Sequence, residues 1–143
     1  MKDKKNATWE LEEGKKLRLD FEKMQRIVAQ IPGVIPVAVQ DINTREVILI
    51  AYTNKEAFEK SIKTRIATFW STSRNEVWVK GETSGNIYEL KEVYVNCEQN
   101  SLLYLVNPKG GGVCHTRNAK GKARNCFYRR LNPKTGFLEN TNP

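Results

Sequence analysis

Apolar positions along the chain change their period several times, and each change marks an element. Over residues 17–30, Leu17, Phe21, Met24, Ile27 and Val28 recur at helical spacing and Ile31-Pro32-Gly33 supplies a stop, which predicts a first helix. Residues 34–40 are then β-branched and apolar, Asp41-Ile42-Asn43-Thr44-Arg45 carries turn chemistry, and residues 46–52 return as an apolar run. The three together predict a β-hairpin. Thr53-Asn54-Lys55-Glu56 opens a short helix through Ser61, because a Thr or Asn cap and an acidic group in the first turn satisfy amides that have no partner inside the helix. Further strands are expected over residues 66–70, 77–79, 88–96 and 101–106, separated by polar turns at 71–75, 81–85 and 98–100. The order predicts an α+β fold with mainly antiparallel pairing. Residues 1–16 are polar and charged and are expected to form a flexible N-terminal arm with one helical turn around Trp9-Glu10-Leu11. Residues 132–143, with Pro133, Gly136 and Pro143, are expected to form a tail, leaving residues 17–131 as a single domain.

Composition narrows this frame. A chain of 143 residues has the usual size of one domain, and its low mean hydropathy of -0.60 implies that arms or a partner surface account for part of it. The net charge of +8 favours an anionic partner, whether nucleic acid, an anionic membrane surface or a phosphorylated metabolite, and charge alone does not choose. No segment approaches the ~20 apolar residues needed to span a bilayer. The charged start Met1-Lys2-Asp3-Lys4-Lys5 leads into no apolar run, so a cytoplasmic protein with no membrane partner is expected.

The chemistry concentrates in few residues. The chain has three cysteines and one histidine: Cys97, Cys114, Cys126 and His115. Thiolates and imidazoles are the ligands zinc prefers, and a catalytic zinc keeps three protein ligands and one open position. An odd number of cysteines argues against a complete disulfide set. The C-x16-C-x11-C spacing is no zinc-finger signature, and small buried hydrophobes are the plain alternative. Cys114, however, follows three glycines and precedes the histidine in a basic, polar stretch, where the backbone can turn sharply. Two turns add hydroxyls and cations: Ser71, Ser73 and Arg74 after one strand, and Lys80, Glu82, Thr83 and Ser84 after another. Such turns hold phosphate through hydroxyls and free amides, although serine and threonine in turns more often bond their own backbone.

Trp70-Ser-Thr-Ser-Arg74, Trp78-Val-Lys-Gly-Glu-Thr-Ser-Gly85, the strand ending at Cys97, Cys114-His115-Thr116 and Cys126-Phe-Tyr-Arg129 stand in an order that resembles the phosphoribosyl-AMP cyclohydrolase family of histidine biosynthesis, over residues 35–130. The resemblance implies a compact, mainly antiparallel β pseudo-barrel with one or two helices, homodimeric, with zinc at the subunit interface. It makes Cys97 of one subunit and Cys114 and Cys126 of the other the zinc ligands. It makes His115 the acid and base in a zinc-assisted attack of water on C6 of the adenine ring, which breaks the N1–C6 bond of a phosphorylated purine nucleotide. A fourth zinc ligand or a solvated loop residue is the alternative for His115. Ser71, Ser73, Arg74, Lys80, Glu82, Thr83 and Ser84 would hold phosphates and ribose.

Three departures bear on that implication. Family members carry Asp-Cys-Asp-x-Asp for magnesium, where this chain has Asn96-Cys97-Glu98-Gln99-Asn100. Magnesium prefers anionic oxygens, so its site is expected to be weakened or lost. Asn86 stands where a histidine usually follows Gly-Glu-Thr-Ser-Gly, and the stretch from Cys114 to Cys126 is longer than usual, with Arg117, Lys120, Lys122 and Arg124 inside it. Two alternatives therefore stand beside phosphoribosyl-AMP cyclohydrolase chemistry: a divergent hydrolase of another purine-like nucleotide, and a zinc-dependent nucleotide- or RNA-binding module without catalysis. The retained Cys, Cys, Cys and His count against the last, and nucleic acid is not the expected partner.

Overall fold

The computed structural model describes residues 2–30 and 33–143. In chain order the elements are α1 Lys2–Glu13, α2 Lys23–Gln30, β1 Ile35–Asp41, β2 Val47–Thr53, α3 Lys55–Thr64, β3 Thr68–Ser71, β4 Glu76–Val79, β5 Tyr88–Val95, β6 Leu102–Pro108, β7 Arg129–Leu131 and β8 Leu138–Asn140. A four-stranded sheet runs β2-β1-β6-β5, and β3-β4 and β7-β8 form two-stranded sheets. Among these pairs only β1–β6 is parallel. The fold is a small α+β structure with mainly antiparallel sheets.

The β1–β2 hairpin follows from its turn chemistry. Asp41 Oδ1 accepts hydrogen bonds from the backbone N–H of Asn43 (2.7 Å) and Thr44 (3.2 Å), and Arg45 takes the left-handed conformation with φ 66°. Alternation then sets the core face. Val37 and Val39 of β1 pair in register with Leu102 and Tyr104 of β6, and all four are buried. Phe69 packs at 5.5 Å from Trp78 and 6.1 Å from Tyr104, between ring centroids, joining the β3–β4 hairpin to the main sheet. Each such side chain contributes about 1.5–3 kcal/mol when taken fully out of water. α3 starts where expected, with Asn54 Oδ1 accepting from Ala57 N–H (2.9 Å), and ends at Arg65 with φ 58°. Buried Ser61 binds it to β3, its Oγ accepting from Thr68 N–H at 2.9 Å.

The ends of the chain differ from expectation. The predicted helix over residues 17–30 begins only at Lys23, because Asp20 Oδ1 accepts from the N–H groups of Glu22 and Lys23 (3.1 Å each) and caps it there. Residues 15 and 16 instead pair with the C-terminal segment: Leu138 N–H donates to Lys15 O at 2.7 Å, and Lys16 bridges to Phe137. Ile27 is the one apolar residue of that span that is buried; Leu17, Phe21, Met24 and Val28 are exposed. The Ile31-Pro32 part of the stop signal lies outside the described residues. The stretch expected as an arm carries α1, longer than one turn, and the stretch expected as a tail carries β8, paired with β7. Both hold on through long-range polar contacts that no local pattern announces. Among the described residues no helix is long and apolar enough to cross a membrane.

Candidate active site

The stretch from Gly110 to Tyr128 carries the candidate chemistry, and it is shaped by tight backbone packing. A Cβ on Gly112 would lie 2.3 Å from Arg124 O and 2.5 Å from Ala123 O, so only glycine allows these strands of loop to meet. Cys114 N–H donates to Arg124 O (2.8 Å), Arg124 N–H to Thr116 O (3.1 Å) and Asn118 N–H to Lys122 O (2.9 Å). The basic stretch between Cys114 and Cys126 is therefore a folded hairpin, closed by a bridge between Arg117 and Ala123. Cys126 N–H donates to Ile48 O at 3.0 Å, which pins the returning limb to β2.

This folding brings Cys114 and Cys126 side by side. Packing around its sulfur, then the neighbouring Cys114, push the Cys126 thiol up to about 11. Cys114 Sγ also lies 3.1 Å from Thr116 Oγ1. Two sulfur donors side by side are what a soft cation binds, so the pair fits zinc. Cys97 is exposed in the β5–β6 turn, and among the described residues no group of three or more Cys, His, Asp or Glu converges on one point within the chain. Asn96, Glu98 and Asn100 do not fit magnesium. Asn96 Nδ2 donates to Asn100 Oδ1 (2.6 Å), Asn96 Oδ1 accepts from the N–H groups of Asn100 and Ser101 (2.9 Å each), and Asn100 Nδ2 donates to Glu98 Oε2 (3.2 Å). The loop satisfies itself with amides, which leaves one carboxylate and no cluster of anionic oxygens.

His115 projects from the same loop, and its Nε2 meets Glu12 Oε1 at the end of α1. A cleft of about 460 Å³ is lined by Cys114, His115, Cys126, Trp78, Arg129 and Glu12. Cys114 also borders a larger concavity of about 680 Å³ with Lys80, Ser84, Asn86, Arg117 and Lys122. Lys80 is buried, its Nζ donating to Asn86 O (2.5 Å) and facing the Tyr88 ring at 4.9 Å, and burial lowers its pKa. It ties the 81–86 turn to the glycine loop. Glu82 and Thr83 are exposed on that turn, and Ser84 Oγ accepts from Asn86 N–H at 3.4 Å. The other hydroxyl turn lies apart from the thiols. Ser71 Oγ accepts from Arg74 N–H (3.2 Å) and stands 3.3 Å from Ser73 Oγ, while Arg74 reaches Glu76 at 3.5 Å. Thr72 and Ser73 face a separate concavity of about 390 Å³ below Lys23 and Arg26 of α2. The structure thus brings Lys80 and Ser84 toward Cys114 within one chain, but not Ser71, Ser73 or Arg74.

Sequence reasoning missed the acidic end of α1. Glu13 holds Arg124, a 3% exposed guanidinium, through two contacts of 2.6 and 3.3 Å. The Glu12-Glu13-Gly14 run could have signalled a helix end, but its partners lie more than a hundred residues away.

The family model described as phosphoribosyl-AMP cyclohydrolase matches residues 49–128, which include Cys97, Cys114, His115 and Cys126. A protein of Cenarchaeum symbiosum named phosphoribosyl-AMP cyclohydrolase is 45% identical over 79% of this chain and 93% of its own length. Proteins of the same name are 48% identical in Archaeoglobus fulgidus, over 69% of this chain and 86% of theirs, and 42% identical in Desulfatibacillum aliphaticivorans, over 79% and 81%. With the match extending over most of the chain and through the loop that carries the paired thiols and the histidine, the chain belongs to the phosphoribosyl-AMP cyclohydrolase family of enzymes.

Proposed function

We propose that the protein opens the adenine ring of phosphoribosyl-AMP by hydrolysis of the N1–C6 bond, a step of histidine biosynthesis, as a zinc-dependent cytoplasmic homodimer. The observation that carries this is the pairing of Cys114 and Cys126 beside His115 in one cleft, within the stretch matched by the family model. Cys114 and Cys126 of one subunit and Cys97 of the other would hold the ion, which explains why each chain alone offers two adjacent thiols and a distant third. When bound, zinc supplies a Lewis acid that makes water acidic enough to attack near neutral pH. His115 takes the proton from the attacking water as the new C6–O bond forms and returns it to N1 as the C6–N1 bond breaks, leaving C6 as a carboxamide. Lys80, Thr83, Ser84 and Glu82 would hold one phosphate and ribose beside Cys114, and Ser71, Ser73 and Arg74 would serve the other end of the substrate across the dimer. The strands support the pseudo-barrel: residues 65–67 bond to β5 through Leu90 N–H to Arg65 O and Ala67 N–H to Tyr88 O (2.8 Å each), and β3 lies against β2.

A divergent relative acting on another purine-like nucleotide is the second reading. It is favoured by the basic hairpin, whose Arg117 and Lys122 border the concavity next to Cys114. Turnover of phosphoribosyl-AMP by zinc-loaded protein, followed by absorbance with and without magnesium, separates the two. Ring opening indifferent to magnesium is expected, with His115→Asn retaining zinc and losing about 100-fold or more in kcat. A zinc-loaded protein that leaves phosphoribosyl-AMP intact would favour the second reading.

A further inference from the structure

We propose that Glu12 is a positioning residue for His115, supplied by a helix that lies outside the residues matched by the family model. The proposal rests on His115 acting as the acid and base. The His115 side chain is 78% exposed, and among the described residues no other side chain bonds to its ring. A free imidazole at that exposure would sample several rotamers and both tautomers, so productive geometry would be held only part of the time. Glu12 supplies the missing constraint. Its carboxylate is mostly covered, 28% exposed, and stands against Nε2.

An exposed ion pair on a loose helix would carry little weight. Here the helix end is clamped at three further points. Tyr128 Oη donates to Glu12 O (2.8 Å), Arg124 grips the Glu13 carboxylate (2.6 and 3.3 Å), and Arg129 Nη1 donates to Gly14 O (3.1 Å). Arg124 and Tyr128 are buried and stack at 4.5 Å, between guanidinium carbon and ring centroid, and Arg124 Nε also donates to Asn142 O at 2.8 Å. The clamp residues flank Cys126 in the same loop that carries Cys114 and His115. One piece of backbone therefore fixes both the thiol pair and the carboxylate that orients the histidine.

The consequence is a defined tautomer. A carboxylate accepts a hydrogen bond and cannot donate one, so Nε2 carries the proton and Nδ1 is left as the nitrogen that exchanges a proton with water and N1. Glu12 itself takes no proton; it stabilises the ring in one orientation through the cycle, as the carboxylate of a Ser-His-Asp triad does for its histidine.

His115 is the single histidine of the chain, so imidazole nitrogen resonances of isotope-labelled, zinc-loaded protein report it alone. The wild type is expected to show the neutral ring almost wholly protonated on Nε2, Glu12→Ala the averaged shifts of a solvated histidine, and Glu12→Asp an intermediate bias. With phosphoribosyl-AMP, Glu12→Ala is expected to lower kcat about ten- to a hundredfold with KM changed less than about twofold, and Glu12→Asp to recover part of the rate. Ring shifts unmoved by Glu12→Ala would overturn the pairing, and moved shifts with an unchanged kcat would overturn the positioning role. A zinc-loaded wild type without turnover would defeat the assigned reaction, while the ring shifts still decide whether Glu12 holds His115.

Discussion

At the scale of single residues, the site is built from groups whose chemistry is set by their immediate neighbours. Cys126 illustrates this: the nearby Cys114 thiol and the packing around its sulfur both disfavour the thiolate. In metal-free protein Cys126 is therefore expected to react slowly with iodoacetamide at pH 8 and to accelerate as pH approaches about 11, since only the thiolate is nucleophilic. Mass spectrometry of the labelled peptide checks this, and a rate already at plateau by pH 9 would contradict the raised pKa. The Asn96–Asn100 amide pair makes the opposite point. Replacing carboxylates by amides removes charge and also creates donors, so the loop closes on itself instead of presenting oxygens outward.

At the scale of elements, α1 is held by its C-terminal end more than by its faces. Trp9 and Leu11 stay more than half exposed, while Glu12, Glu13 and Gly14 make the contacts. Local periodicity could not show this, because the first turns of α1 are charged and its binding groups face loop residues far along the chain. The Glu13–Arg124 pair is the strongest of these contacts, with Arg124 almost fully covered. Glu13→Ala leaves a buried guanidinium short of its carboxylate and is expected to cost about 1–3 kcal/mol of stability. Urea unfolding would measure the loss, and limited proteolysis would show α1 cut first. A variant as stable and as protected as wild type would mean that the helix is held elsewhere. The hairpin and α3, by contrast, were legible from Asp41 and Asn54, because a short side chain bonding a backbone amide two or three residues on is a wholly local event.

At the scale of the whole molecule, several large apolar side chains stand uncovered. Phe21 is 87% exposed, Val28 65% and Phe127 62%, and Val95 is exposed close to Cys97. In the proposed homodimer, the partner subunit would cover such surface and deliver the third thiolate to the Cys114–Cys126 pair. Cys114→Ser is expected to lose zinc and shift the assembly toward monomer, measured by metal content and analytical ultracentrifugation. Full metal content with unchanged assembly in that variant would count against a zinc shared between subunits.

What the sequence by itself determined was strands β1 to β6, the α+β class and the family, and it singled out Cys97, Cys114, Cys126 and His115 as candidates for binding a soft metal and moving a proton. These depend on alternation, turn residues and motifs a few positions long, all written locally in the chain. Only the tertiary structure decided that Cys114 and Cys126 meet while Cys97 stands apart, that the magnesium positions close on one another, and that an N-terminal helix brings Glu12 to His115. Those outcomes depend on where distant backbone segments come to lie. Residues 12 and 115 carry no mark of each other until Arg124 and Tyr128, buried against the returning loop, fix the helix end beside them.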